Sequence, residues 1–170
     1  IYLDGNSLGP LPKSVPERVN RMLVEEWGGH LITGWLKDGW MDLPLTLGDR
    51  LAQLVGARLG EIAVVDTTSV NLFKMLSAAL AMRSDRKVIL STADNFPTDL
   101  YMAQGLAALL DKGHELRIVD PDDLERTLDE TVAVLMLTEV DFKTGRVHDM
   151  ARLTAAAHGV GALTLWDLAH

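Results

Sequence analysis

The seven residues Val132–Thr138, Val-Ala-Val-Leu-Met-Leu-Thr, carry no polar side chain before the last, so they cannot form a strand with one wet face. A surface strand alternates apolar with polar; an unbroken apolar run is expected where both faces are covered, in the middle of a parallel sheet. Residues 87–91 and 116–119 add two short strand patterns, and Leu163, Thr164 and Leu165 run into Trp166 and then an acid, Asp167. Helix signals lie between them. Pro97 suits a first turn and is followed by Leu100, Ala103, Leu106 and Ala107 up to Leu110; Asp120 and Pro121 precede Leu124 and Leu128; Asp149 precedes Arg152, Leu153, Ala156 and Ala157, with Gly159 to close. Four strands alternating with three helices predict an α/β fold, a three-layer sandwich with a mainly parallel sheet and right-handed crossovers.

Ahead of the first strand, residues 1–50 read as an N-terminal segment of loop, helix and Trp-rich connector. Ile1 to Asp4 is a short extended piece, and Gly5 to Pro12 is dense in turn residues, without the Gly-Lys-Ser/Thr of a P-loop. Ser14 is placed to cap a helix with Pro16 and Glu17 in its first turn and Val15, Val19, Met22 and Leu23 on one face, and Gly28 with Gly29 is expected to end it. Residues 30–44, which hold His30, Trp35 and Trp40, have no regular period. Helical spacing resumes over 45–55 with Gly56 as its stop, and 61–66 is strand-like or a tight connector.

In an open α/β sheet ligands sit at the C-terminal ends of the strands, so residues just beyond those ends are the candidates for a site. Thr67, Thr68 and Ser69 open an amphipathic helix carrying Leu72, Met75, Leu76, Ala79 and Leu80. Free N–H groups, the helix dipole and three hydroxyls would make a phosphate cup without any lysine; plain N-capping needs only one of the three. Phe96, in the loop after the 87–91 strand, can lie flat on a planar ligand or act as a hydrophobic staple, and Asp99 can face the same place or simply favour the first turn. Thr138 and Asp167 end their strands. Asp167, with His170 three residues on, can hold a protonated ring nitrogen, serve as a base, or cap a helix. His148 and His158 read as ordinary loop and helix-end residues.

A net charge of -8 without any run of lysines or arginines argues against nucleic-acid and anionic-membrane partners. No cysteine is present, which removes disulfides, thiolate nucleophiles and cysteine-bound zinc from this stretch, and no metal site is expected. No segment reads as a signal peptide or an 18-residue apolar span, so the expected location is the cytoplasm.

Five stretches together resemble the kynureninase family: Leu3 to Gly9, Thr68 to Leu72, Asn95 to Asp99, Lys143 to Gly145, and Trp166 to His170. Members of that family are pyridoxal 5'-phosphate (PLP) enzymes with the large aminotransferase-like fold. The resemblance implies hydrolysis of L-kynurenine or 3-hydroxykynurenine to an anthranilate and L-alanine, in tryptophan catabolism and NAD biosynthesis, by a homodimer. It makes 51–170 the first part of a PLP-binding large domain. It assigns Thr68 and Ser69 to the cofactor phosphate, Phe96, Pro97, Thr98 and Asp99 to the pyridine ring, Thr138, Asp167 and His170 to the cofactor site, and Ser7 and His30 to the substrate side. The family's Schiff-base lysine follows the Asp-Leu-Ala-His motif by some tens of residues, so no catalytic residue is expected among these 170 and the domain is expected to continue past His170. Asp141-Phe142 stands where relatives often carry Asn-Tyr, which leaves the substrate preference open. Two other readings remain: a different PLP enzyme of this fold, cysteine desulfurase-like or aminotransferase-like, and a non-catalytic domain binding a phosphorylated ligand.

Overall fold

The structure is a computed structural model, and residues 1–5 and 7–169 are described. The chain divides into two compact units, Ile1–Asp66 and Thr67–His170.

The second unit is built on a four-stranded parallel sheet in the order β2-β1-β3-β4, with β1 Val88–Thr92, β2 Glu115–Val119, β3 Val132–Thr138 and β4 Leu163–Asp167. Every residue of β1 and β3 is buried, as the apolar run of β3 requires of a central strand; β1 buries Ser91 and Thr92 along with Val88, Ile89 and Leu90. Two cores lie on the two faces. Ile89, Val134 and Met136 pack with Leu72, Leu76 and Leu80 of α5 (Thr68–Met82) and with Ala103 and Leu106 of α6 (Pro97–Leu110). Leu90, Leu135 and Leu137 pack with Leu124 of α7 (Leu124–Thr127) and with Leu153 and Ala157 of α8 (Met150–Gly159). The result is the expected three-layer α/β sandwich.

Local chemistry sets the helix starts. The Thr67 hydroxyl accepts from the Val70 amide ahead of α5, and the Asp149 carboxylate accepts from the Arg152 amide at 3.0 Å ahead of α8. Asp120 accepts from Asp122 N before a 3-10 turn, Pro121–Asp123, that leads into α7. Trp166 ties β4 to α8 through Nε1–H to the Thr154 hydroxyl at 3.0 Å.

The first unit departs from its expected outline. α1, Val15–Arg21, does not stop at the glycine pair: a π-wound turn, Met22–Trp27, carries it into α2, Gly28–His30. Gly28 has φ -63° and ψ -36° and donates backward into the helix. Glycine ends a helix only where it turns left-handed, and here the break falls instead at Leu31, whose φ is 48°. Ser14 is itself helical and makes no side-chain cap. A 3-10 turn, Leu31–Thr33, and α3, Gly34–Lys37, order part of the stretch expected to be irregular. Beyond it, α4, Leu43–Val55, closes on left-handed Gly56. Residues 61–66 form a connector and not a strand: Val64 N donates to Pro44 O, and the Ile62 carbonyl packs against Gly48 of α4. Trp40 donates to Glu26 at 3.0 Å, and Glu26 also pairs with Arg18 at 2.8 Å.

Candidate functional site at the strand switch point

The chain leaves β1 to one side, through α6 to β2, and then crosses β1 by way of α7 to reach β3 on the other side. Between the C-terminal ends of β1 and β3 the sheet therefore reverses its winding, and this is the crevice that open α/β sheets use for ligands. The same edge receives two helix N-termini. α6 starts just after β1 ends, while α5 runs down to the start of β1 and so begins at the opposite, C-terminal edge; the two helices pack on each other and on one sheet face.

The first turn of α5 separates the two readings of its three hydroxyls. Thr67 alone is the cap, and Thr68 and Ser69 occupy the first two helical positions, one exposed and one half-buried. Their amides belong to the first turn, where no intrahelical acceptor exists. A cap and an anion-ready turn thus coexist.

Beyond β1, Phe96 is the N-cap residue of α6, half-buried, with Pro97 in the first turn. Its ring meets Phe142, from the segment after β3, edge-on, with centroids 5.1 Å apart and planes at 69°. Pro97 and Thr98 are exposed, whereas Asp99 in the same turn is buried at 1% exposure. Asn95 is buried too. Its Oδ1 accepts from Phe96 N at 2.7 Å, and its Nδ2 donates to the Ser91 hydroxyl at 2.8 Å and to the Met136 carbonyl at 3.2 Å.

Thr138 and Asp167 are register partners on β3 and β4 and both are buried. Asp167 Oδ1 accepts from Ala169 N at 2.7 Å, closing a short turn after the strand. His170 lies outside the described residues.

Ser7 and His30 belong to the first unit. The Ser7 hydroxyl donates to Asp4 Oδ1 at 2.8 Å, and His30 Nδ1 lies 2.8 and 3.0 Å from the two carboxylate oxygens of Asp38.

Two features of the region were not singled out from sequence. Asn95 stands where Asn often bonds nearby backbone, which was a usable signal, yet its reach to β3 is purely tertiary. His148 is buried at 7% exposure, contrary to its reading as an ordinary loop residue. It closes a hairpin in which Val140 bridges Val147, the His148 amide donates to Glu139 O, and Gly145 takes φ 73°. Burial, with Arg146 nearby, pushes the His148 pKa down against the opposing pull of Asp94 and Asp141. In the same hairpin, hydrogen bonds from the Thr144 hydroxyl and the Lys143 amide hold the Asp141 carboxyl below the usual range. Lys143 lies with Nζ 5.4 Å from the Phe142 ring centroid.

Cavities of about 480 Å³, beside Arg146 and His148, and about 650 Å³, along α6 and β2, are lined by none of the candidate residues. The assignment of the site thus rests on topology and donor chemistry. Among the described residues no cluster of His, Asp and Glu could hold a metal ion, and no helix is long and apolar enough to cross a membrane.

No family model matches the chain. It is 54% identical over 175 aligned positions to kynureninase from Pseudomonas fluorescens, 54% to that from Deinococcus radiodurans and 51% to that from Burkholderia pseudomallei. Each match covers 100% of this chain and 42% of the relative, so the chain spans about two-fifths of their length. Among solved structures, a C-DES mutant with glycine covalently linked to the PLP cofactor aligns over 99% of this chain and 46% of its own, with a TM-score of 0.79 at 19% identity. A cysteine desulfurase from Thermococcus onnurineus aligns over 98% of this chain and 43% of its own, with a TM-score of 0.70 at 20% identity. In sequence the chain is therefore similar to kynureninases along all of its 170 residues, and in fold it has the parallel-sheet architecture of the PLP-dependent, aminotransferase-like enzymes.

Proposed function

We propose that these residues belong to a longer PLP-dependent kynureninase, which hydrolyses L-kynurenine or its 3-hydroxy form to an anthranilate and L-alanine. The observation that carries this reading is the 54% identity to kynureninase across the whole chain. The proposed role of 1–50 is an N-terminal segment, and that of 51–170 the first part of the cofactor-binding large domain; the compact units themselves divide at 66/67.

The residues at the switch point fit PLP by their chemistry. The first turn of α5 offers the amides and hydroxyls of Thr68 and Ser69, donors that suit a phosphate. Phe96 offers a ring face, with Pro97 and Thr98 beside it in the first turn of α6. Asp167, next to Thr138, offers a buried carboxylate whose Oδ1 already holds one amide. When bound, PLP supplies an electron sink for the pair left on the substrate's alpha carbon.

In this reading Thr68 and Ser69 anchor the phosphate, and Phe96 fixes the plane of the ring by stacking. Asp167 accepts a hydrogen bond from the protonated ring nitrogen and so keeps the proton on the ring, with Thr138 beside it. Asp99, Pro97 and Thr98 bracket the ring, and His170 completes the proposed set. Ser7 and His30 are assigned to the substrate side. The lysine that binds PLP covalently comes from outside these residues; Lys143 is engaged in its own turn. The substrate is a small molecule, and the proposal includes a cytoplasmic homodimer without nucleic-acid or membrane partners. Exposed Val24, Trp27, Leu31, Ile32, Trp35 and Leu36 in the first unit support an extensive contact with other protein surface.

The test is direct. Full-length protein supplied with PLP and L-kynurenine should release anthranilate, read by its fluorescence. Release of sulfide from L-cysteine with no anthranilate would replace this reading with a desulfurase-like one, which the structural likeness to a cysteine desulfurase keeps as the second choice.

A further inference from the structure

The β1–β3 register runs from Val88 opposite Val132 to Leu90 opposite Leu135; beyond it side chains take over. The Ser91 hydroxyl donates to the Met136 carbonyl at 2.7 Å and accepts from Asn95 Nδ2, which also reaches Met136 O at 3.2 Å. The other end of the same amide, Oδ1, receives the Phe96 N–H at 2.7 Å. The orientation of the amide is fixed by chemistry: a carbonyl at one end admits only the NH2 group, and an N–H donor at the other admits only the oxygen. Ser91 is fully buried and Asn95 is 3% exposed, so water does not compete for these bonds.

The geometry points to Asn95 as a positioning residue. Through its side chain, the central strand β3 sets the backbone of Phe96 at the moment the chain turns from β1 into α6, and Ser91 holds Asn95 in that pose. With Phe142 packed against it at 69°, the Phe96 ring is fixed from the backbone side by Asn95 and from the ring side by a second aromatic. A stacking side chain helps a planar ligand only if it is already in place, since ordering it on binding would cost affinity. This inference rests on the proposal that Phe96 stacks on PLP; it adds that Asn95 and Ser91 act on the cofactor through Phe96 without touching it.

The experiment is a double-mutant cycle on PLP affinity in the full-length protein, read by absorbance titration of the free cofactor, with far-UV circular dichroism as the folding control. Asn95→Ala should weaken PLP binding about tenfold while Phe96 is present, and by less than about twofold in a Phe96→Ala background. Equal losses in both backgrounds would overturn the inference, because Asn95 would then act on the fold alone. Where Asn95→Ala does not fold, Ser91→Ala carries the same cycle with the same two outcomes. Failure of the underlying reading looks different: the unsubstituted protein would show no saturable PLP binding, or Phe96→Ala would bind as the parent does.

Discussion

Thr138 and Asp167 stand opposite each other at the tips of β3 and β4, and the amide after Thr138, that of Glu139, donates to the Asp167 carbonyl at 3.0 Å. Their side chains share the sheet face that packs α5 and α6, since Met136 and Leu165, two residues before each, lie in that core. A buried carboxylate is thereby held at a strand tip by the ladder itself. If it retains the ring proton of PLP, Asp167→Ala in the full-length enzyme should lower kynurenine turnover by about ten- to a hundredfold, the worth of a charged hydrogen bond. Steady-state anthranilate fluorescence checks this.

The α5 turn makes a phosphate-specific prediction. Thr68→Ala combined with Ser69→Ala should raise the Kd for PLP about tenfold and leave that for pyridoxal, which lacks the phosphate, unchanged. Titration of both compounds separates loss of the cup from loss of the helix, because the Thr67 cap remains.

Stacking has a smaller weight. Phe96→Leu keeps an apolar side chain and removes the ring, so the Kd for PLP should rise by roughly three- to tenfold, as about 0.5 to 1.5 kcal/mol of aromatic contact predicts.

In the first unit, a Cβ on Gly48 would fall 1.9 Å from the Ile62 carbonyl oxygen and 2.6 Å from its carbon. Both are backbone atoms and cannot rotate away. Gly48→Ala should therefore destabilise this unit by about 3 kcal/mol, the upper end for overpacking, seen as a lowered Tm in thermal unfolding.

His148 gives a pH dependence with a definite sign. Burial lowers its folded pKa below the ordinary 6.5, so the unfolded chain binds more protons at mildly acid pH. Its contribution is thus fully present above about pH 6.5 and is lost as pH falls through the lower folded value. Thermal midpoints from pH 8 down to about 5 should drop less steeply in His148→Gln than in the parent.

The sheet was legible because β3, buried on both faces, announces itself as a nearly unbroken apolar run, and β1 as a shorter one, Val88 to Leu90. Capping chemistry gave α8 its start at Asp149, and Pro97 gave that of α6. What local sequence left open or misjudged was decided by partners it does not show. Residues 61–66 read equally as a strand or a tight connector, and with no strand beside them among the described residues they pack as a connector on Gly48. The glycine pair at 28 and 29 looked like a stop, though glycine accepts a right-handed turn as readily as a left-handed one. His148 and Asn95 owe their burial to a hairpin and to a carbonyl 41 positions along the chain, neither of which leaves a periodic trace.

The most direct test of the central claim, that the switch-point crevice is a PLP site, is the intact mass of the full-length protein after PLP and borohydride, which fixes a lysine-bound cofactor as a stable adduct. One adduct per chain is predicted, with lower occupancy at limiting PLP in Asp167→Ala and in the Thr68, Ser69 double variant. Several adducts spread over surface lysines, with occupancy unchanged by those substitutions, would contradict it.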